Sequence, residues 1–252
     1  MLLSSAAWLD GLPGTVGELE RRWSLTIGEP FSGATCAWVA PVTLADGRWA
    51  VLKLGFPHME AEQEIEGLRF WNGDPTVQLL AADDQLNAML IERCEPGTLL
   101  RTLPEEEQDV VIAGLLHRLW RLPSPPHPFR PLSEMTAHWS EGRDGRVFEE
   151  LLRTTSTEVL LATDLHAGNV LRAEREPWLA IDPKPFIGDP AYDATQHLFN
   201  CPETLRADPL GRIHRFADLL GVDRERVRLW MFARASMWPG EDWRWLARAL
   251  AP

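Results

Sequence analysis

The sequence predicts an α+β fold, with a small antiparallel sheet early in the chain and helices through most of the remainder. Three observations carry this. Cys36–Leu44 and Trp49–Leu54 are strand-like runs joined by the turn Ala45-Asp46-Gly47-Arg48, a hairpin pattern. From Pro104 onward, helix starts and helix-length apolar stretches dominate. Between them in kind is the stretch around residues 160–193, LLATDLHAGNVLRAEREPWLAIDPKPFIGDPAYD. It holds two short apolar runs, Val159–Leu161 and Trp178–Ile181, and each delivers polar side chains at its C-terminal end.

In chain order, residues 1–30 read as a helical or irregular lead, with Leu19 and Trp23 on one face of a turn or two of helix. Ser32-Gly33-Ala34-Thr35 precedes the first strand, and Gly33 would let backbone amides approach a phosphate, although one glycine is not a nucleotide-binding fingerprint. Lys53 lies between Leu52 and Leu54, so alternation points it to the opposite face. The stretch MEAEQEIEGLRFWNG reads as a helix ending near Asn72-Gly73, with Ile65 and Leu68 on its apolar side. Val77–Leu80 and Asn87–Glu92 are strand candidates around a turn at Asp83-Asp84, and Pro96-Gly97 breaks the run that follows.

Pro104-Glu105-Glu106-Glu107 starts a helix well, with acids at the positive end. That helix is expected to bury Val110, Leu115 and Leu119, and His117 has no second ligand beside it and reads as structural. Residues 122–132 carry five prolines and form a stiff connection. Ser133–Arg153 reads as helix in pieces, and 194–199, 209–220 and 223–237 as further helices, the last capped by Asp223. Trp238, Trp243 and Trp245 in the tail build a core or wall a substrate site.

The 252 residues suffice for one large domain or two lobes. A formal charge of -12 argues against a nucleic-acid partner and would draw a cationic substrate into any acidic cleft. Cys36, Cys94 and Cys201 are too widely spaced for a disulfide framework or zinc site, which suits the cytoplasm. No stretch is long and apolar enough to span a membrane, and the N-terminus lacks the basic region of a signal peptide.

The chemistry lies in Asp164, His166 and Asn169 after the first apolar run, and in Asp182, Lys184, Asp189 and Asp193 after the second. Val170–Leu171 and the turn-like AEREP suggest a hairpin that brings the groups together. Asp164 suits a base for an attacking hydroxyl, and Asn169 and Asp182 are oxygen donors for a divalent cation on nucleotide phosphates.

DLHAGNVL followed by AIDPKPFIGDPAYD resembles the catalytic loop and metal-binding segment of the aminoglycoside phosphotransferases, which are protein-kinase-like, and is most similar to the aminoglycoside/hydroxyurea antibiotic resistance kinases, including streptomycin 6-kinases. The resemblance implies a two-lobed ATP- and Mg²⁺-dependent kinase, with residues 1–95 as the sheet-bearing lobe and 96–252 as the helical lobe. It implies Asp164 as catalytic base, Asn169 and Asp182 as metal ligands, and His166 and Asp193 as braces of the loop. Lys53 would meet the α and β phosphates, steadied by Glu64 or, one turn-face away, Glu62. Ile91–Cys94 would be the hinge, where Glu92 and Cys94 contribute backbone groups to the adenine. Glu241, Asp242 and Trp238 would face a cationic or hydroxylated small molecule. One departure stands out: where the family carries a histidine and a glycine before the catalytic aspartate, this chain has Ala162 and Thr163. A metabolic small-molecule kinase and a catalytically weakened nucleotide-binding pseudokinase are the alternatives.

Overall fold

The computed structural model describes residues 5–141, 145–238 and 241–252. The first residues of the expected lead, residues 142–144 of the expected helical stretch, and Pro239-Gly240 of the tail lie outside the described residues.

The sheet-bearing lobe starts with α1 (Ser5–Trp23), far longer than the turn or two expected. Pro13 and three glycines disguise it, yet Trp8, Leu12, Val16, Leu19 and Trp23 recur every three or four residues and pack as one stripe. Then follow β1 (Thr26–Ile27), β2 (Ala37–Thr43), β3 (Trp49–Gly55), α2 (Glu64–Trp71), β4 (Leu79–Asp83) and β5 (Ala88–Glu92). The strands form an antiparallel sheet in the order β1-β2-β3-β5-β4. Leu52 and Leu54 face α1 on one side, and Val51 and Met89 join Ile65 and Leu68 of α2 on the other. Alternation therefore turns Lys53 toward α2. The single helix expected over 59–73 is a 3₁₀ turn (Met59–Ala61) followed by α2. β4 begins two residues later than expected and reaches Asp83.

The second lobe is mostly helical: α3 (Glu105–Leu119), α4 (Leu132–Trp139), α5 (Arg146–Arg153), then four short strands, β6 (Val159–Leu161), β7 (Val170–Leu171), β8 (Leu179–Ala180) and β9 (Phe186–Gly188). α6 (Pro190–Phe199), α7 (Pro202–Ala207), α8 (Pro209–Leu220), α9 (Arg224–Met237) and α10 (Arg244–Leu250) complete it. The large core beneath these helices includes Leu116, Phe148, Phe186, Phe216 and Trp230. Asp189, Asp208 and Asp223 cap α6, α8 and α9 by accepting backbone N–H bonds at 2.7–3.0 Å. α6 thus starts earlier than expected, at a cap followed by proline.

Val110 corrects the expectation for α3: it is exposed, while Asp109 is buried. The inward stripe is Ile112, Leu115, Leu116 and Leu119, and the turn before it points Asp109 at Arg212 and His197, with bonds of 2.6 and 2.9 Å. A buried carboxylate with such donors displaced the valine from the core side.

β7 and β8 pair as a hairpin, whereas β6 pairs with β9, a strand the sequence did not suggest. The hairpin has bonded neighbours on both flanks. Beside β8, Val77 N donates to the Ala180 carbonyl and Ala180 N to the Pro75 carbonyl; beside β7, Gly97 N donates to the Arg172 carbonyl and Arg172 N to the Thr98 carbonyl. Arg175 in its turn donates to the Gly73 and Thr76 carbonyls and to the Glu92 carboxylate. Among the described residues, no helix is long and apolar enough to cross a membrane.

Candidate active site

The loop after β6 is held from below by Asp193. Its carboxylate accepts from the backbone N–H groups of Ala162 (3.0 Å) and Thr163 (2.8 Å) and from Trp120 Nε1 (2.9 Å). Burial pushes this carboxyl up to about 6, against the pull of its three donors. Thr163 takes a left-handed φ of 43°, unusual for a β-branched residue, and its hydroxyl donates to the Lys184 carbonyl at 2.6 Å. Further along, His166 Nδ1 accepts from Gly168 N at 3.1 Å, and burial draws the imidazole down to about 4. Gly168 lets the loop pass close to its neighbours: a Cβ would lie 2.6 Å from Arg101 Nη2 and 2.7 Å from His166 Cε1.

Asn169 Nδ2 donates to the Asp164 carbonyl at 3.0 Å, and Ile181 N donates to the Asn169 carbonyl at 2.9 Å. The hairpin thereby sets Asp182 beside Asn169. The bond from Nδ2 turns the Asn169 amide oxygen away as an acceptor. That oxygen and the Asp182 carboxylate are hard donors that could hold Mg²⁺, which would take its other ligands from phosphate and water.

A chain of alternating charges crosses the cleft. Lys53 Nζ lies 2.6 Å from Glu64 Oε1 and 2.5 Å from Asp182 Oδ1. Lys184 Nζ bonds Asp164 Oδ2 and lies 3.7 Å from Asp182 Oδ2. Burial alone would lower both lysines, but the neighbouring carboxylates outweigh it and hold both ammoniums above their ordinary value. Burial likewise works against the Asp182 carboxylate, and the two lysines hold it below its usual range. Glu64, almost wholly buried, meets Lys53, whereas Glu62 pairs with Arg130 at 3.1 Å.

Other expected site residues stand apart from this chain. Gly33 has a φ of 96° at an exposed turn with open space around its α-carbon. The Glu92 backbone N–H is taken by the Gln78 carbonyl and its carboxylate by Arg175, so neither group faces a base freely. Cys94 is buried against the apolar cluster that includes Met89, Ile91 and Leu179, and burial pushes its thiol up to about 12. Glu92, Arg93, Glu95 and Arg175 border a cavity of about 370 Å³ at this edge. Glu241 and Asp242 line another, of about 510 Å³, with Arg206, Trp243 and Trp245. Trp238 is 41% exposed and stacks on Phe199.

Sequence reasoning passed over three contributors. Lys184 stands in the second motif with no role that the sequence assigns. Gln196 donates to Asp164 Oδ1 at 2.7 Å and accepts from Arg234 at 2.7 Å, while Arg234 is buried over the rings of Trp139, Tyr192 and Phe199. The signal for Gln196 was its spacing: three residues after Asp193 on one helix, it shares that residue's face.

A family model for aminoglycoside/hydroxyurea antibiotic resistance kinases matches residues 22–241, nearly the whole chain. The chain belongs to this kinase family. Within the family's reach, the chain is 38% identical to a hydroxyurea phosphotransferase of Kitasatospora aureofaciens, over 93% of this chain and 75% of that protein. It is 36% identical to a streptomycin 6-kinase of Streptomyces glaucescens, over 94% and 85% respectively. A choline/ethanolamine kinase family protein from Mesorhizobium loti shares the two-lobed fold with a TM-score of 0.63, at 14% identity over 95% of this chain and 92% of that one. That likeness is one of fold, an antiparallel sheet paired with a mostly helical lobe.

Proposed function

We propose that this protein transfers the γ-phosphoryl group of ATP to a hydroxyl of a cationic aminocyclitol, with streptomycin the first acceptor to try. The observation that carries the reading is the unbroken line Glu64–Lys53–Asp182–Lys184–Asp164, which puts an expected phosphate lysine, a metal carboxylate and a base in contact. In this reading residues 1–95 hold the nucleotide and 96–252 carry the loop, the metal ligands and the acceptor. Lys53 steadies the α and β phosphates, and Asp164 orients the acceptor hydroxyl and takes its proton. Bound at Asn169 and Asp182, Mg²⁺ would neutralise charge on the phosphates. The aromatic group at Phe199, Trp238 and Trp243 lies one helical turn of α6 beyond Gln196, and supports acceptor recognition toward Glu241 and Asp242. The net charge of -12 supports a cation.

The hydroxyurea phosphotransferase at 38% identity favours a second acceptor, a small neutral N-hydroxy compound. Incubation with Mg·ATP and each of streptomycin, hydroxyurea and a neutral sugar, read by mass spectrometry, separates them. Streptomycin should gain one phosphoryl group, and Asp182→Ala should nearly abolish the transfer while the fold persists. Turnover of the sugar or hydroxyurea alone would discard the aminocyclitol reading, and an Asp182→Ala protein with half the parent turnover would discard the metal role.

A further inference from the structure

Among the described residues, Lys184 is the one charged side chain that touches both the base and the metal carboxylate of the proposed site. Its Nζ bonds Asp164 Oδ2 and lies 3.7 Å from Asp182 Oδ2, and its side chain is 14% exposed. Lys53 is already divided between Glu64 and Asp182 and approaches from the sheet side. A phosphoryl group passing from a nucleotide held at Asp182 to a hydroxyl held at Asp164 must cross the space between those carboxylates. Lys184 borders that space.

The backbone around Lys184 is built to keep it there. Its N–H donates to the Ala162 carbonyl at 2.9 Å, and its carbonyl accepts from the Thr163 hydroxyl at 2.6 Å. Prolines on either side, Pro183 and Pro185, restrict its rotation. Pro185 also fits against Gly67 of α2, where a Cβ would come within 3.0 Å of its ring. The two residues that grip Lys184, Ala162 and Thr163, are those at which the chain departs from its family's histidine and glycine. A left-handed φ is a strained conformation for a threonine. Here the strained residue contributes a hydroxyl that glycine cannot.

Resting on the kinase reading above, we propose that Lys184 is a catalytic cation for the transferring phosphoryl group, and that Thr163 is its positioning residue. Without nucleotide the ammonium caps Asp164. With nucleotide present it turns to an oxygen of the γ-phosphoryl group, which frees Asp164 for the acceptor. The acceptor O–H bond breaks and its proton passes to Asp164. The acceptor oxygen bonds to phosphorus, and the bond from phosphorus to the β,γ-bridging oxygen breaks with its electron pair leaving on ADP. Lys184 keeps its proton throughout and donates hydrogen bonds to the oxygens that gain charge.

The test compares the parent with Lys184→Met, Lys184→Arg, Thr163→Val and Thr163→Ser in two measurements. One is steady-state transfer to the acceptor that the parent uses; the other is calorimetric affinity for Mg·ADP with and without aluminium fluoride, a mimic of the phosphoryl group in flight. Lys184→Met should lower kcat by roughly 10²–10³-fold, the effect of deleting one donor to developing charge. Its acceptor KM and its affinity for Mg·ADP alone should stay near the parent's, while affinity for the fluoride complex falls by a comparable factor. Lys184→Arg should regain part of both, and Thr163→Ser should regain what Thr163→Val loses in kcat. An active parent whose Lys184→Met variant keeps its kcat and its fluoride-complex affinity overturns the inference alone. So does equal weakening of Mg·ADP with and without fluoride, which marks a structural role. A parent that neither transfers phosphate nor binds Mg·ADP overturns the kinase reading and this inference with it.

Discussion

Replacing Asp193 with asparagine tests how the loop before Asp164 is held. The carboxylate is about 1% exposed and serves three donors: Ala162 N and Trp120 Nε1 on Oδ2, and Thr163 N on Oδ1. An asparagine can present its one oxygen to the first two. Its NH₂ must then face the Thr163 N–H, which leaves two buried donors pointing at each other. Each unpaired donor costs about 1–3 kcal/mol, so the variant should lose about 2–6 kcal/mol. A domain with the usual 5–15 kcal/mol would remain folded in most of that range. Urea unfolding gives the loss directly. Trp120→Phe is the control, because it removes one donor and leaves Oδ2 still bonded to Ala162; it should cost about 1 kcal/mol beyond any change in packing. Because the released peptide is that of Thr163, phosphoryl transfer should fall in Asp193→Asn more than in Trp120→Phe. A loss below about 1 kcal/mol with unchanged transfer would refute the bracing described for Asp193.

Three further expectations follow from the same geometry. Arg226→Ala strands the buried Asp189 carboxylate with Trp230 as its remaining side-chain donor and frees the Leu151 carbonyl, and should cost about 3–5 kcal/mol in thermal or urea unfolding; a change under 1 kcal/mol would show the pair to be idle. Asp193 and His166 oppose each other with pH. The folded Asp193 holds its proton up to about 6, so its contribution is full below 3.8 and lost as pH rises through 6, while the folded His166 stays neutral down to about 4, so its contribution is full above 6.5 and lost as pH falls toward 4. His166→Gln should therefore make unfolding free energy decline from pH 4 to pH 6 more steeply than in the parent, and a rise over that interval would contradict the assignment. Val110→Glu should change stability by no more than about 0.5 kcal/mol and Ile112→Ala should lower it by about 2–5 kcal/mol; the reverse order would mean that α3 faces the other way.

Where local chemistry fixed structure, the sequence could be read directly. The β2–β3 hairpin around Asp46-Gly47, the capped start of α9 at Asp223, and the β7–β8 hairpin all follow from turn, cap and alternation patterns within a few residues. The pairing of Lys53 with Glu64 was narrowed by spacing to two glutamates, and only three-dimensional packing set Glu62 against Arg130 instead. Elements whose local signals conflicted were misjudged. α1 runs through Pro13 because its stripe is buried against the sheet, and a tertiary gain overrode a poor propensity. Hydropathy places Val110 in the core, since nothing near Asp109 in sequence announces Arg212 or His197 about ninety to a hundred residues away. Lys184 was illegible for a related reason: its significance lies in a contact with Asp164, and residue type alone does not say which carboxylate a lysine will meet.

The short β7–β8 hairpin carries Asn169 and Asp182 side by side at its open end, and both its flanks are bonded, to Pro75–Val77 on one side and to Gly97–Thr98 on the other. Four extended segments thus form a small plate in which both hairpin strands have a bonded neighbour, pinned at its turn by Arg175. A two-lobed molecule ordinarily flexes across its cleft, and groups mounted on opposite jaws separate when it does. Here the two oxygen donors share one mount. The spacing between them is set when the chain folds, and opening of the cleft carries them as a unit. The entropy of bringing them together is thereby spent before any nucleotide arrives.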